Sequence, residues 1–147
     1  MANGEDNLNS IGNNGSSQET HLLASKELIG EVRRIEKGKC AEVVLIADEK
    51  MQVDAKGLIH GGFTFGLADY AAMVTVNDPF VVLVYSNVKF VKPVVVGDKL
   101  SAKSKITEVK GTKKTVLCEV FNQHNIKVFE GEFFCVSLEK HVLETSK

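Results

Sequence analysis

The 147 residues include only three cysteines and two prolines, and the charges nearly cancel, leaving a net charge of -1. Cys40, Cys118 and Cys135 lie far apart and form no CxxC pair, which excludes a zinc ribbon and a dithiol redox motif. They read as small buried hydrophobes in a reducing cytosol. Without a basic excess, a nucleic-acid backbone is not the expected partner. No apolar run approaches the roughly 20 residues that cross a bilayer, so no membrane span is expected. The first residues are polar and acidic and do not read as a secretory signal, which leaves a cytoplasmic protein as the expectation. Four histidines, His21, His60, His124 and His141, are scattered along the chain. They suggest no metal cluster, and no cofactor is expected. No internal repeat is visible.

What is present is enough for one domain with a core: 44% apolar and 25% charged residues. Residues 1–20 are rich in Asn, Gly and Ser and read as a mobile polar tail, with one domain over 21–147. His21 to Leu28 suggests a short helical turn. Ile29–Ile35 and Cys40–Ala47 read as strands joined at Glu36-Lys37-Gly38-Lys39. Phe63–Asn77 reads as one long helix, apolar on nearly every side and therefore buried, ended by Asn77-Asp78-Pro79. Four strands follow: Phe80–Phe90, Leu100–Val109, Thr112–Asn122 and Ile126–Leu138. Phe80–Phe90 is apolar on both alternating sets, which suits a strand covered on both faces or lying at a subunit contact. The pattern predicts an α+β fold, an antiparallel sheet curled around one helix.

The most informative stretch is Gly57-Leu58-Ile59-His60-Gly61-Gly62-Phe63-Thr64-Phe65-Gly66-Leu67-Ala68-Asp69. A carboxylate on so apolar a helix is costly unless it is used or compensated, and desolvation should raise its pKa. Gly61 and Gly62 open the helix, where N–H groups have no intrahelical acceptor and glycine admits close approach of a ligand. The helix dipole adds positive potential there. Together these residues set a carboxylate able to act as base or nucleophile on the same helix as amides able to hold negative charge.

His60-Gly61-Gly62, Leu67-Ala68-Asp69, Asn87 to Pro93 and Gly97-Asp98-Lys99-Leu100, in this order, resemble the hotdog-fold thioesterases. The closest subgroup is the one that includes the phenylacetyl-CoA pathway enzyme. The resemblance covers about residues 28–140 and implies an acyl-CoA or acyl-carrier-protein thioesterase, with Asp69 as base or nucleophile, Gly61 as the main oxyanion donor and His60 ordering the loop. It implies substrate-binding roles for Gly62 and for Asp54, Phe63, Phe65, Met73, Asn87 and Lys89. Asp54 stands where many relatives have asparagine. Leu83 and Met73 replace hydroxyl-bearing residues of some relatives. The family further implies a homodimer, possibly a dimer of dimers, in which Phe80–Phe90 pairs with its two-fold mate and Asp69 of one subunit faces Gly61 of the other. The chain is also similar to the ligand domain of a bacterial malonyl-CoA-sensing repressor, so the alternative is a non-catalytic acyl-CoA-binding sensor. The polar stretch before the domain does not read as a helix-turn-helix, and Asp69 is present; both favour the enzyme. The glycine-to-aspartate spacing speaks against a hotdog dehydratase.

Overall fold

A computed structural model describes residues 15–145. Six strands form one antiparallel sheet: β1 (Glu31–Glu36), β2 (Cys40–Ile46), β3 (Val81–Phe90), β4 (Lys99–Lys110), β5 (Lys113–Phe121) and β6 (Lys127–Ser137). Their spatial order is β1-β2-β4-β5-β6-β3. The helix α1 (Gly61–Val76) joins β2 to β3 through the loop after Ile46, and the sheet wraps around it. This is the hotdog arrangement expected from the sequence.

The helix is buried because small residues let it nest into the curved sheet. Leu67, Ala68, Ala71, Ala72, Met73 and Val74 are at most 1% exposed. Leu67 and Met73 each contribute about 1.5–3 kcal/mol through removal of apolar surface from water. Opposite them stand Val43, Leu100, Ala102, Val116, Cys118, Val120, Phe129 and Phe133, all sealed in the core. The helix stops at Asn77, which adopts the left-handed conformation (φ 55°) and returns its N–H to the Met73 carbonyl at 2.8 Å. Its boundaries run two residues earlier and one shorter than the apolar pattern predicts, since the helix begins at the glycines themselves.

Two differences from the sequence reading follow from hydrogen bonding. Residues 1–14 of the expected tail lie outside the described residues. Residues 15–20 are not a loose tail: they form a strap docked along the helix. The Glu19 N–H donates to Asn77 Oδ1 at 2.7 Å, Asn77 Nδ2 donates to the Ser17 carbonyl at 2.9 Å, and Gln18 Nε2 donates to the Tyr70 hydroxyl at 3.0 Å. The segment from His21 to Leu28 forms turns, the last closed by the Ile29 N–H on the Ser25 carbonyl at 2.8 Å, the spacing of the helical turn the sequence suggests.

Of the two settings expected for strand β3, cover on both faces is not met within the chain, and this is the second difference. The strand lies at the edge of the sheet, paired on one side only, with β6. Within the chain it is not covered on both faces: Val84 is 64% and Tyr85 62% exposed. A break in register between Leu83 and Tyr85 sets Val84 out as a bulge.

Candidate active site

His60 is the N-cap of α1, in extended conformation, and its Nδ1 accepts the Gly62 N–H at 2.7 Å. An accepting Nδ1 places the proton of a neutral ring on Nε2. The Gly62 amide is therefore occupied, which corrects the expectation that both glycine amides stand open. The Gly61 N–H has no acceptor among the described residues. A Cβ on Gly61 would stand 3.0 Å from the Phe90 ring, and one on Gly62 2.9 Å from His60 Nδ1, so both glycines are closely approached.

Gly61 forms part of the wall of a cavity of about 230 Å³. Its floor is Ile59, Thr64, Val94 and Val128, all buried, and Phe90 and Lys92 stand on its exposed rim. Thr64 is only 3% exposed, and its hydroxyl makes no hydrogen bond among the described residues. Thr64 and Phe90 belong to the motifs, but the sequence reading gives neither a place in the site. The signal for Thr64 was its position three residues after Gly61, on the same helix face.

Asp69 lies eight residues further along α1, about 12 Å along the axis at 1.5 Å per residue. Its Oδ1 is buried and, among the described residues, is the one sealed side-chain oxygen without a hydrogen-bond partner. Burial raises the Asp69 pKa from the ordinary 3.8 to about 6. The carboxylate reaches the inner face of β6. Burial, followed by the charge of Asp69, pushes the Cys135 thiol up to about 12. Leu83 sits directly across from Cys135 on β3, so the surroundings of Asp69 on the sheet side are apolar.

The other candidate residues separate. Phe65 packs its ring against Phe129 and Phe133, with centroids 6.4 and 5.6 Å away, and belongs to the core around the cavity. Met73 is 1% exposed and lies in the core. Phe63 stands edge-on to the His60 ring at 6.2 Å. Asp54 closes its own turn, with Oδ1 accepting from the Lys56 and Leu58 N–H groups at 2.9 and 3.3 Å. Asn87 and Lys89 pair in register with Glu132 and Glu130, whereas Phe90 pairs with the core residue Phe129. Strand alternation therefore places Asn87 and Lys89 on the outer face of the sheet, away from α1. Among the described residues no cluster of three or more His, Cys, Asp or Glu side chains forms a metal site. Among the described residues no helix is long and apolar enough to cross a membrane.

Comparison with known proteins bears on the fold that carries these residues. A methylthioribose-1-phosphate isomerase of Aquifex aeolicus is 53% identical over 119 residues, which are 81% of this chain but 26% of that protein. A transcription factor FapR of Caldanaerobacter subterraneus is 28% identical over 122 residues, 83% of this chain and 60% of that one. The chain thus spans about a quarter of the first and six-tenths of the second. An uncharacterised protein of Pyrococcus horikoshii has the same fold with a TM-score of 0.85 and 54% identity, covering 88% of this chain and 98% of that one. Two more distant structures share the fold. The PaaI protein of the E. coli phenylacetic acid degradation operon has a TM-score of 0.66 and 21% identity, covering 72% and 81% of the two chains. A Streptococcus mutans protein bound to acetyl CoA has a TM-score of 0.68 and 24% identity, covering 76% and 90%. The model of the Thioesterase superfamily matches residues 56–129, the stretch that carries Gly61, Thr64, Asp69 and Phe90, and the chain belongs to that superfamily.

Proposed function

We propose that this protein hydrolyses acyl-CoA (or acyl-carrier-protein) thioesters to a free acid and a thiol. The observation that carries this reading is the buried, unpartnered oxygen of Asp69 on the same helix that offers the unpartnered Gly61 amide. A fold-maintaining carboxylate would be hydrogen-bonded or paired. One held near pKa 6 by burial suits proton transfer close to neutral pH. Coenzyme A as the carrier is supported by the acetyl CoA bound to the Streptococcus mutans protein of this fold.

In the proposed reaction the thioester carbonyl oxygen accepts the Gly61 N–H, and the attacking oxygen comes from a water deprotonated by Asp69, or from Asp69 itself. The tetrahedral oxyanion collapses with cleavage of the C–S bond, and the thiolate leaves and takes up the proton. By direct attack the first product is a mixed anhydride, which water then hydrolyses. An oxyanion donor of this kind is worth about 3 kcal/mol of barrier.

The two groups cannot serve one carbonyl from the same chain, because about 12 Å of helix separates them. A carbonyl oxygen and its carbon are only one bond apart. We therefore assign the complete site to a symmetric homodimer, with Asp69 of one subunit facing Gly61 of the other and the unpaired edge of β3 as the contact. A pairing of two such dimers is compatible with the exposed Tyr85 on the outer face. Sedimentation at micromolar concentration tests the shared site, and a monomer that is fully active overturns it. Three free cysteines among the described residues suit a cytoplasmic setting.

Thiol release from a panel of acyl-CoA esters, wild type beside Asp69→Asn, is the decisive assay. Equal rates in the two proteins would remove Asp69 from the chemistry. The second reading, an acyl-CoA-binding sensor without turnover, is favoured by the similarity to the FapR transcription factor and by Leu83 beside the carboxylate, where no hydroxyl holds a water. Saturable binding without turnover in wild type would establish it.

A further inference from the structure

We infer that a hollow on the outer face of the sheet, the face turned away from α1, is a binding site for a small amphipathic carboxylate: an apolar body with one negative end. The sheet itself separates this hollow from Asp69 and Gly61, so the inference stands whatever reaction those two groups carry out.

Strand alternation fixes the face. Phe133 and Cys135 on β6 are buried on the α1 side, so Phe134 and Val136 look outward. Their cross-strand neighbours on β5, Thr115 and Lys113, share that face, and Lys110 on β4 stands directly across from Lys113. The bulge in β3 adds the exposed Val84. These residues, with Glu108, line a cavity of about 320 Å³. The walls all come from one chain. Strand β3 stands between the hollow and the free edge assigned to the two-fold contact, so the second subunit of the proposed dimer is not needed to complete it.

The lining selects the ligand. Val84, Phe134 and Val136 make the floor apolar, and Thr115 brings its one hydroxyl. A nucleotide or a peptide would bury ring nitrogens or amides there without partners, whereas an alkyl or aryl body needs none. Charge selects the end of that body. Like charges directly opposite each other destabilise a strand pair, yet Lys110 and Lys113 face each other beside the hairpin turn at Gly111. Glu108 answers Lys110 at 3.4 Å, and Lys113 has no carboxylate partner among the described residues. Lys114 belongs to the other face, where its Nζ donates to Ser137 Oγ at 3.3 Å. One uncompensated positive charge therefore stands at the rim of an apolar hollow, which matches a single carboxylate. A second copy of the chain fits worse, because an isologous contact centred here sets hollow on hollow and lysine pair on lysine pair.

The test is a titration of isotope-labelled protein with octanoate, followed through backbone amide shifts. Octanol serves as the neutral probe and acetate as the anion without a body. Wild type is compared with Lys113→Gln, Val84→Asp and Asp69→Asn, and sedimentation is run on the same samples. We expect shifts centred on Thr115 and on Phe134 to Val136, with octanoate bound more tightly than either control probe. Lys113→Gln should weaken octanoate about threefold to fivefold and leave octanol unaffected. Val84→Asp should weaken both, and Asp69→Asn should leave the outer-face shifts as they are. Shifts confined to α1 and the cavity beside Gly61 overturn the inference. So does equal binding of octanol and octanoate, or a Lys113→Gln protein that binds octanoate like wild type. A tetramer that Val84→Asp splits into dimers, with no outer-face shifts in wild type, gives this face to a second copy and overturns it as well.

Discussion

The two ends of α1 are built to opposite rules. At its C-terminal end every buried polar group is answered. Thr75 Oγ1 donates to the Ala71 carbonyl at 2.8 Å, Ser104 Oγ reaches the same carbonyl at 2.9 Å, and the two hydroxyls lie 2.6 Å apart. The Gly38 N–H takes the Thr75 carbonyl, and Asn77, fully buried, is held by the strap of residues 15–20 on both sides of its amide. From Gly61 to Asp69 the pattern reverses. Over residues 61–69 one amide and one hydroxyl have no partner among the described residues, and one carboxylate oxygen is both sealed and unpartnered. A buried polar group left unanswered costs stability, and the sealed one is the Asp69 carboxylate oxygen, which accords with the ligand role proposed for this half of the helix.

The largest effect expected from breaking this contrast is at Asp69. Asp69→Asn keeps the shape and removes the base, and kcat should fall about 10³-fold. In wild type, kcat/KM should fall about tenfold per pH unit below about 6, the pKa to which burial raises the carboxyl. The Asn variant should lack that limb. An unchanged acid limb in the variant would show that another group titrates.

The same substitution should stabilise the fold, which no group at the other end of the helix would do. Asp69 has its native pKa raised, from 3.8 to about 6, so the native state holds the proton more tightly than the unfolded chain. Stability is therefore greatest below about pH 4, declines as the pH rises to about 6, and is level beyond. The difference at neutral pH is about 3 kcal/mol. Asp69→Asn should gain about 2 kcal/mol at pH 7.5, read from urea unfolding, with a pH profile flatter than that of wild type. A loss of stability instead would mean that the carboxylate has a structural partner in the assembled protein.

At the other end, Asn77→Ala should cost about 3 kcal/mol. It removes two hydrogen bonds from a buried site, leaves the Glu19 N–H and the Ser17 carbonyl unanswered, and puts alanine at φ 55°. Activity per folded molecule should be unchanged. A parallel loss of kcat in the folded fraction would show that the two halves of the helix are coupled and that the contrast is too simple.

How far this was legible from the residues alone follows the same division. The apolar helix and the succession of strands come from periodicity and motif, which local sequence carries. The sheet order, with β3 at the edge beside β6, places Asn87 and Lys89 on the outer face, and no local pattern states which face of a doubly apolar strand looks inward. Asp54 was drawn to the site by its spacing to His60, but its carboxylate is spent on its own turn. Thr64 and Phe90 lie inside the motifs but carry no site role in the sequence reading, because neither is unusual by type. Only the approach of β3 to the start of α1 brings them to the same cavity. The strap was mistaken for tail because its composition is that of a linker, while its hydrogen bonds are made to Asn77 and Tyr70, more than 50 residues away.

The smallest effect concerns His60, which sits between the two rules: it belongs to the site by position but has spent its Nδ1 on the Gly62 amide. Its histidine chemistry and its capping role make different predictions. His60→Ala should cost about 1 kcal/mol through loss of the cap and lower kcat/KM several-fold as the first turn frays and Gly61 loses its aim. His60→Asn supplies a side-chain oxygen that caps as well as any residue, but no ring and no titrating nitrogen. If the ring serves only to hold the turn, asparagine restores both stability and rate. If stability returns and the rate does not, Nε2 touches the substrate, and the open region of the helix begins at residue 60 rather than at Gly61. The cap geometry favours the first outcome: a ring pinned through Nδ1 to the adjacent backbone points its remaining nitrogen away from the turn it closes, and the residue is exposed.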